Sequence, residues 1–313
     1  MRRPFLTGKG KKRDGYERLL TLCQRMARRK SAGQKKRTLL QLSEMLGALG
    51  YRTALIGKKG IHGQQLIGGD PEHACLIVAA DFNLREARMI PGRQRLLDQS
   101  ANRKNQLDNL TVTLVLSVLL AVMGVLLCIA GTKADGRWYL FLIAALVFLL
   151  AFGLSRRQAA GNAGKNAALF AMLECARTYR HRPIAFCFLE ETGTELGLQQ
   201  LREYFPQARL VYLNQLGREK ALCVILKGKE AKLQGLCAQG WPEITVQAAE
   251  EPDDSLIRSW NSGILISTAD PVSMTCEMPG GKFDMQMDSD QIRQAVSLIG
   301  GLIQPENNAP DPS

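Results

Sequence analysis

The chain has 313 residues, 46% of them hydrophobic and 22% charged, enough for one large domain or two small ones and too apolar for a disordered polypeptide. Its 41 Lys and Arg against 29 Asp and Glu leave a net charge of +12, and residues 1–60 hold 17 of those bases with only three acids, Asp14, Glu17 and Glu44. Eight cysteines scattered without a CxxC pair exclude a disulfide framework and read as reduced thiols of a cytosolic environment, while three histidines (His62, His73, His181) exclude a histidine-rich metal centre.

In chain order, residues 1–13 form a basic tail predicted to be disordered, with no apolar stretch behind it of the kind a signal peptide needs. Apolar residues at helical spacing predict amphipathic helices over 14–30 and 34–49. Short strand-like runs follow at 51–57, 62–68 and 74–80, separated by glycine-bearing turns of the hairpin kind. Residues 93–109 are polar and basic and read as a juxtamembrane helix or linker.

Two long apolar runs come next. Residues 110–131 are 22 positions without a charge and residues 138–154 are 17 more; at about 1.5 Å per residue the first crosses a hydrocarbon core of roughly 30 Å, and the second does so with its flanks. Soluble helices of such length carry a polar stripe, so the pair is predicted to be a transmembrane hairpin over 110–154, with Trp138 and Tyr139 as interfacial anchors. The linker 132–137 is too short to fold, which puts both flanks on one side. Those flanks carry Arg93, Arg95, Arg103, Lys104, Arg156, Arg157 and Lys165 against Lys133 and Arg137 in the linker, and the positive-inside rule places them in the cytoplasm. Ser117, Ala121 and Gly124 supply a small-residue face on which the two spans can pack.

Beyond the hairpin, helices and strands alternate: a small-residue helix over 166–179, a strand over 184–190, a helix over 197–204, a strand over 208–214 paired with another over 221–227, strands over 244–247 and 263–268, and a last helix over 288–303. Near-continuous apolar strands between helices predict an α/β domain with a mixed, mostly buried sheet flanked by helices. Neither 14–109 nor 155–304 holds enough elements to stand alone, so one sheet is expected to draw strands from both. Residues 305–313 are predicted to be a disordered tail.

The blocks GGDPEHACLIVAADFN, AGKNAALFAMLECAR, HRPIAFCFLEETGTELGLQQL, ARLVYLNQLG and GGKFDMQMDSDQI resemble, in order and spacing, the successive blocks of the di-zinc aminopeptidases of metallopeptidase clan MH. The resemblance covers most of the chain outside the hairpin and implies that fold. It also implies five metal-ligand positions. Where the family's strand ends in His-x-Asp, this chain has Asp81-Phe82-Asn83. The bridging Asp, which precedes an Asn and a small-residue helix, matches Lys165. The Glu-Glu-x-Gly pair of base and ligand matches Thr194-Glu195-Leu196-Gly197, keeping the ligand and losing the base. The ligand Asp after the next strand matches Asn214, and the final His matches Asp284.

Two close Zn²⁺ ions need anionic or imidazole ligands with a shared bridge, and Asp81, Lys165, Glu195, Asn214 and Asp284 offer three carboxylates, an amide and a competing ammonium. The expectation is that zinc is lost, that Lys165 neutralises the remaining acids as an ion pair, and that the chain is a membrane-anchored cytoplasmic pseudo-peptidase acting as a binding or regulatory module for an unknown protein partner. A second reading has Asp81, Glu195 and Asp284 hold one hard cation such as Mg²⁺ or Ca²⁺ through oxygen, making the chain a divergent metal-dependent hydrolase. Glu190 and Glu191, at the end of a core strand, are alternative candidates for the base or else solvated loop residues. A third reading has the basic cluster of Arg28, Arg29, Lys30, Lys35, Lys36 and Arg37 bind anionic lipid as a surface scaffold. With little aromatic interleaving and no recognised module, nucleic acid is not expected as a partner, and the glycines at 60, 63, 68 and 69 form no dinucleotide-binding fingerprint.

Overall fold

The computed structural model describes residues 21, 32–56, 65–70, 72–82, 93–133, 139–155, 163–190, 194–217, 221–249, 254–277 and 288–303. Its elements in chain order are α1 (Ala32–Ala48), β1 (Thr53–Ile56), β2 (Gln65–Gly68), β3 (Leu76–Asp81), β4 (Arg93–Arg95), α2 (Gln99–Lys133), α3 (Tyr139–Ser155), α4 (Ala163–Thr178), β5 (Ile184–Leu189), α5 (Thr194–Tyr204), β6 (Arg209–Leu213), β7 (Ala221–Lys227), a 3₁₀ turn (Gly228–Leu233), α6 (Gln234–Gly240), β8 (Thr245–Ala248), β9 (Gly263–Ala269), β10 (Thr275–Glu277) and α7 (Ser289–Ile303). The expected helix over 14–30 and both terminal tails lie outside the described residues, apart from Thr21, which is helical.

Four apolar strands make the centre of an eight-stranded mixed sheet. β5, β3, β6 and β9 run parallel in that spatial order. β2 pairs antiparallel with β5, and β1 antiparallel with β2; at the other side β7 pairs antiparallel with β9 and parallel with β8. Strands β1 to β3 precede the long apolar helices and β5 to β9 follow them, so one sheet draws on both parts of the chain.

The expected pairing of 208–214 with 221–227 does not occur, because β9 lies between β6 and β7. The reason is burial. All seven residues of β9 are buried, and a strand with both faces covered needs both edges paired as well. β7, half-exposed at its two ends, takes the next slot outward. In the same way β5, buried throughout, separates β2 from β3.

The pleat sends alternate residues to two cores. Leu76, Val78 and Ala80 of β3, with Phe186 and Phe188 of β5, meet Leu42 and Leu46 of α1, the alanines of α4 and Ile292, Ala295 and Ile299 of α7. Ile77 and Ala79, with Ala185, Cys187 and Leu189, meet Leu198 and Leu201 of α5 together with Leu96, Ile257 and Trp260. Its small residues let α4 lie close to the sheet, and Gly164 to Ala176 are buried without a break.

β4 and β10 form a separate antiparallel ribbon. Here the segment 93–109, expected to be a juxtamembrane helix or linker, resolves into a strand and a helix that runs unbroken from Gln99 into the apolar run. The start of α2 is fastened locally. Asp98 accepts from the Ala101 N–H (2.8 Å) and the Ser100 hydroxyl (2.8 Å), an N-cap arrangement. Asp254 accepts the Ser100 N–H at 2.7 Å, its own carbonyl accepts the Gln99 N–H at 2.9 Å, and Arg258 pairs with its carboxylate. The Ala101 N–H, the Ser100 hydroxyl and Arg95 hold the Asp98 carboxyl below the usual carboxylate range.

α2 is 35 residues long, about 52 Å at 1.5 Å per residue, and it is long and apolar enough to cross a membrane; α3, at 17 residues, is shorter. The two lie against each other. A Cβ added at Gly124 would meet the Phe148 ring at 2.9 Å and one at Gly131 the Phe141 ring at 3.0 Å, which defines an antiparallel seam closed by Ala144 and Val147. Gly124 thus packs as the expected small-residue face requires. Many other apolar side chains of the pair, Leu114, Leu119, Leu126 and Leu149 among them, are exposed.

One glycine sets a turn that no other residue fits. Gly228, between β7 and the 3₁₀ turn, has φ +61°, and a Cβ there would lie 2.3 Å from the Asn261 carbonyl oxygen. That obstacle is backbone and cannot rotate away. Gly228→Ala is expected to destabilise the domain by about 2 kcal/mol or more, combining left-handed strain with the clash; an unchanged denaturation midpoint would contradict this.

Candidate functional site

In an open α/β sheet the crevice at the carboxyl ends of the parallel strands is where ligands bind. The apolar strands of this chain turn polar at that edge. β3 ends in Asp81, β5 leads to Glu190, β6 to Asn214 and Gln215, and β9 carries Ser267 and Thr268 near its end. Lys165 and Asn166 enter from the first turn of α4. Asp81, Lys165, Asn166, Asn214, Gln215, Ser267 and Thr268 are all at least nine-tenths buried.

Lys165 Nζ donates to Asp81 Oδ2 at 2.6 Å, and both side chains are 1% exposed. An ammonium in the first turn of a helix faces the positive end of its dipole, and in a dry interior it persists only beside a counter-charge. Asp81 supplies that charge. A second lysine closes a second carboxylate: Lys35 of α1 donates to Glu190 Oε1 at 2.5 Å, so Glu190 is ion-paired at the end of β5 rather than a bare loop acid.

Asn214 donates through Nδ2 to Ser267 Oγ at 3.3 Å, and its N–H bonds the Ile266 carbonyl across the sheet. Among the described residues its Oδ1 and the Gln215 Nε2 have no hydrogen-bond partner. The Gln215 carbonyl accepts from the Thr268 N–H at 2.7 Å, and the Leu216 N–H reaches the Gly164 carbonyl at 3.1 Å. This last bond ties the loop after β6 to the turn that carries Lys165.

Of the five ligand positions implied by the resemblance, the structure therefore brings Asp81 and Lys165 into contact and sets Asn214 on the same edge. Thr194 and Glu195 form the first turn of α5, a helix that begins before the expected position 197, because the backbone there continues the helical turn that buries Gly197 and Leu198. Asp284, Asn83 and Glu191 lie outside the described residues. Among the described residues no group of three or more His, Cys, Asp or Glu comes together. The buried polar residues that the sequence did not single out are Gln65, Gln215, Ser267 and Thr268. Their signal was a polar side chain inside or at the end of an apolar strand. Gln65 donates to the Gly197 carbonyl at 3.2 Å and to Gln200 Oε1 at 3.0 Å, joining β2 to α5. Burial pushes the thiols of Cys175 and Cys187 well above their usual range, so neither is a thiolate nucleophile at neutral pH.

No protein family matches the sequence, and no curated protein does. Solved structures do resemble it in backbone. The chain is similar to Tannerella forsythia glutaminyl cyclase, with a TM-score of 0.54 at 11% identity, covering 93% of this chain and 98% of that one. It is similar to a leucine aminopeptidase precursor from Bacteroides thetaiotaomicron, at 0.52 and 13%, covering 93% and 96%. It is similar too to a Zn-dependent exopeptidase from Parabacteroides distasonis, at 0.50 and 13%, covering 92% and 96%. At such identities the likeness concerns the fold and not the activity. The chain has a zinc aminopeptidase-like fold, with a mostly parallel central sheet between two layers of helices.

Proposed function

We propose that this protein is a membrane-anchored pseudo-peptidase: a cytoplasmic domain of zinc aminopeptidase-like fold, held to the bilayer by a two-helix hairpin over 110–154, with its metal centre replaced and its role reduced to binding or regulating a partner protein. The observation that carries this reading is the buried Lys165–Asp81 pair, 2.6 Å apart at the end of β3. A divalent metal does not fit that donor set. A carboxylate that would coordinate it is already bonded to an ammonium, and a cation brought beside Lys165 would meet a fixed positive charge in a low-dielectric interior. The same pairing weighs against the alternative of one Mg²⁺ or Ca²⁺ on Asp81, Glu195 and Asp284. For the anchor, support comes from the length of α2, the exposed apolar surface of both helices and their glycine-lined seam.

The test is metal analysis of the purified, detergent-solubilised full chain together with an aminoacyl-anilide assay. The expected result is far less than one equivalent of zinc and no cleavage. Two equivalents of zinc with hydrolysis of the anilide would overturn the reading. A rise in melting temperature with Mg²⁺ or Ca²⁺ that Asp81→Ala abolishes would favour the metal-dependent hydrolase instead.

A further inference from the structure

Three segments connect the domain to the membrane region or carry its surplus charge, and all three meet the sheet at one edge. α4, whose Lys165 bonds Asp81 and whose Gly164 carbonyl receives the Leu216 N–H, begins at the carboxyl edge. It starts only eight residues after α3 ends at Ser155, a separation of at most about 28 Å even in a fully extended chain. α2 starts beside the same edge. Its root follows Leu96, whose N–H bonds the Met274 carbonyl in the turn just past β9, and Cys276 of β10 lies 3.8 Å from Asn214 Nδ2. Eleven residues, Gln99 through Asn109, separate that root from the uncharged run at Leu110, about 16 Å of helix.

α1 is the third. Lys35 in its first turn bonds Glu190, one residue past the end of β5, and its far end returns toward Tyr51, whose hydroxyl bonds the Ala176 carbonyl near the other end of α4. The 31 residues that precede α1 in the sequence carry eleven Lys and Arg against Asp14 and Glu17. They therefore join the fold at the same edge as the hairpin. Arg93, Arg103 and Lys104, on β4 and the root of α2, are exposed there.

We infer that the carboxyl edge of the sheet, with its buried Asp81–Lys165 cluster, faces the bilayer surface, so that whatever the domain binds at this edge is met at the membrane interface rather than from the open cytoplasm. This rests on the hairpin reading above. The geometry leaves little freedom. A headgroup layer reaches about 5–7 Å beyond the hydrocarbon boundary, two tethers of at most about 16 and 28 Å fix the edge close to it, and basic residues near an anionic leaflet are attracted to it. The opposite edge, where β5 begins after His181 and Arg182, is farther away by the length of the strands, about 20 Å for six residues.

The experiment uses the full chain with Cys23→Ser, Cys75→Ser and Cys128→Ala, leaving only buried thiols, and adds a single reporter cysteine as either Val272→Cys or His181→Cys. Both sites are exposed turns, Val272 being 92% exposed at the carboxyl edge and His181 lying at the amino edge, so neither change disturbs packing. Each variant is labelled with a fluorophore and reconstituted into phosphatidylcholine–phosphatidylserine vesicles that contain a lipid spin-labelled on its headgroup. The expected result is loss of most of the fluorescence at position 272 and little loss at 181. Equal quenching at both sites, or stronger quenching at 181, would overturn the inference while leaving the anchor intact. Alkaline carbonate tests the anchor separately: release of the protein from the vesicles would remove the anchor reading and this inference with it.

Discussion

Replacing Lys165 with methionine is expected to destabilise the domain by about 3–5 kcal/mol, because it removes the ammonium 2.6 Å from the Asp81 carboxylate in a site where both side chains are 1% exposed. Asp81→Leu should cost a similar amount by removing the carboxylate that faces the ammonium at the positive end of α4. The double variant is the informative one. With both charges gone neither leaves the other uncompensated, and stability should return to within about 1 kcal/mol of the wild type, or exceed it, as buried ion pairs exchanged for hydrophobic residues often do. For a domain of this size each kcal/mol moves the melting temperature by roughly 2–4 °C, so the single variants should melt about 10 °C lower in detergent. Single variants that melt like the wild type would show that the two groups are not paired in solution, and a double variant as unstable as the sum of the singles would show that the site depends on some other polar contact.

The second large effect concerns the hairpin. Excising residues 110–154 and bridging the gap with a short glycine–serine linker is expected to move the protein from the membrane pellet to the soluble fraction, with the α/β circular dichroism preserved. Nothing in the sheet passes through the excised segment. β1 to β3 and β5 to β9 are paired with one another outside it, and the root of α2 is fastened by Asp98 and Asp254 through residues that the excision retains. What is removed is a surface of leucines, valines and phenylalanines that water would have to cover. An excised chain that stays in the pellet would move the membrane contact to the basic N-terminal residues. An intact chain found in the soluble fraction would mean that α2 and α3 find another cover.

Much of the α/β layout could be read from one dimension, because it follows from local periodicity. The apolar runs LIVAA and IAFCFL and the largely apolar GILISTA read as strands buried on both faces, the alanine-rich run before Thr178 as a helix pressed against them, and the uncharged stretch from Leu110 as a helix of unusual length. Neighbour relations could not be read in this way. The order in which strands sit depends on which edges are still unpaired when long-range contacts form, so β9 came to lie between β6 and β7, and β5 between β2 and β3, against the adjacency in sequence. The strand β4 was missed because three residues with a single inward glutamine carry no period, and the start of α5 was placed too late because Thr194 and Glu195 carry no apolar signal.

The site divides along the same line. The types of residue at the strand ends were visible in the sequence: an aspartate at 81 where the resembling family has histidine, a lysine at 165 where it has a bridging carboxylate, an asparagine at 214. Substituted chemistry is a property of composition, and composition is all that a sequence needs to state it. That Lys165 reaches Asp81 across 84 positions, that Lys35 reaches Glu190 across 155, and that the root of α2 and the starts of α1 and α4 share one edge of the sheet are facts of tertiary structure. They depend on the strand order and on the direction in which each helix returns, and long-range packing sets both.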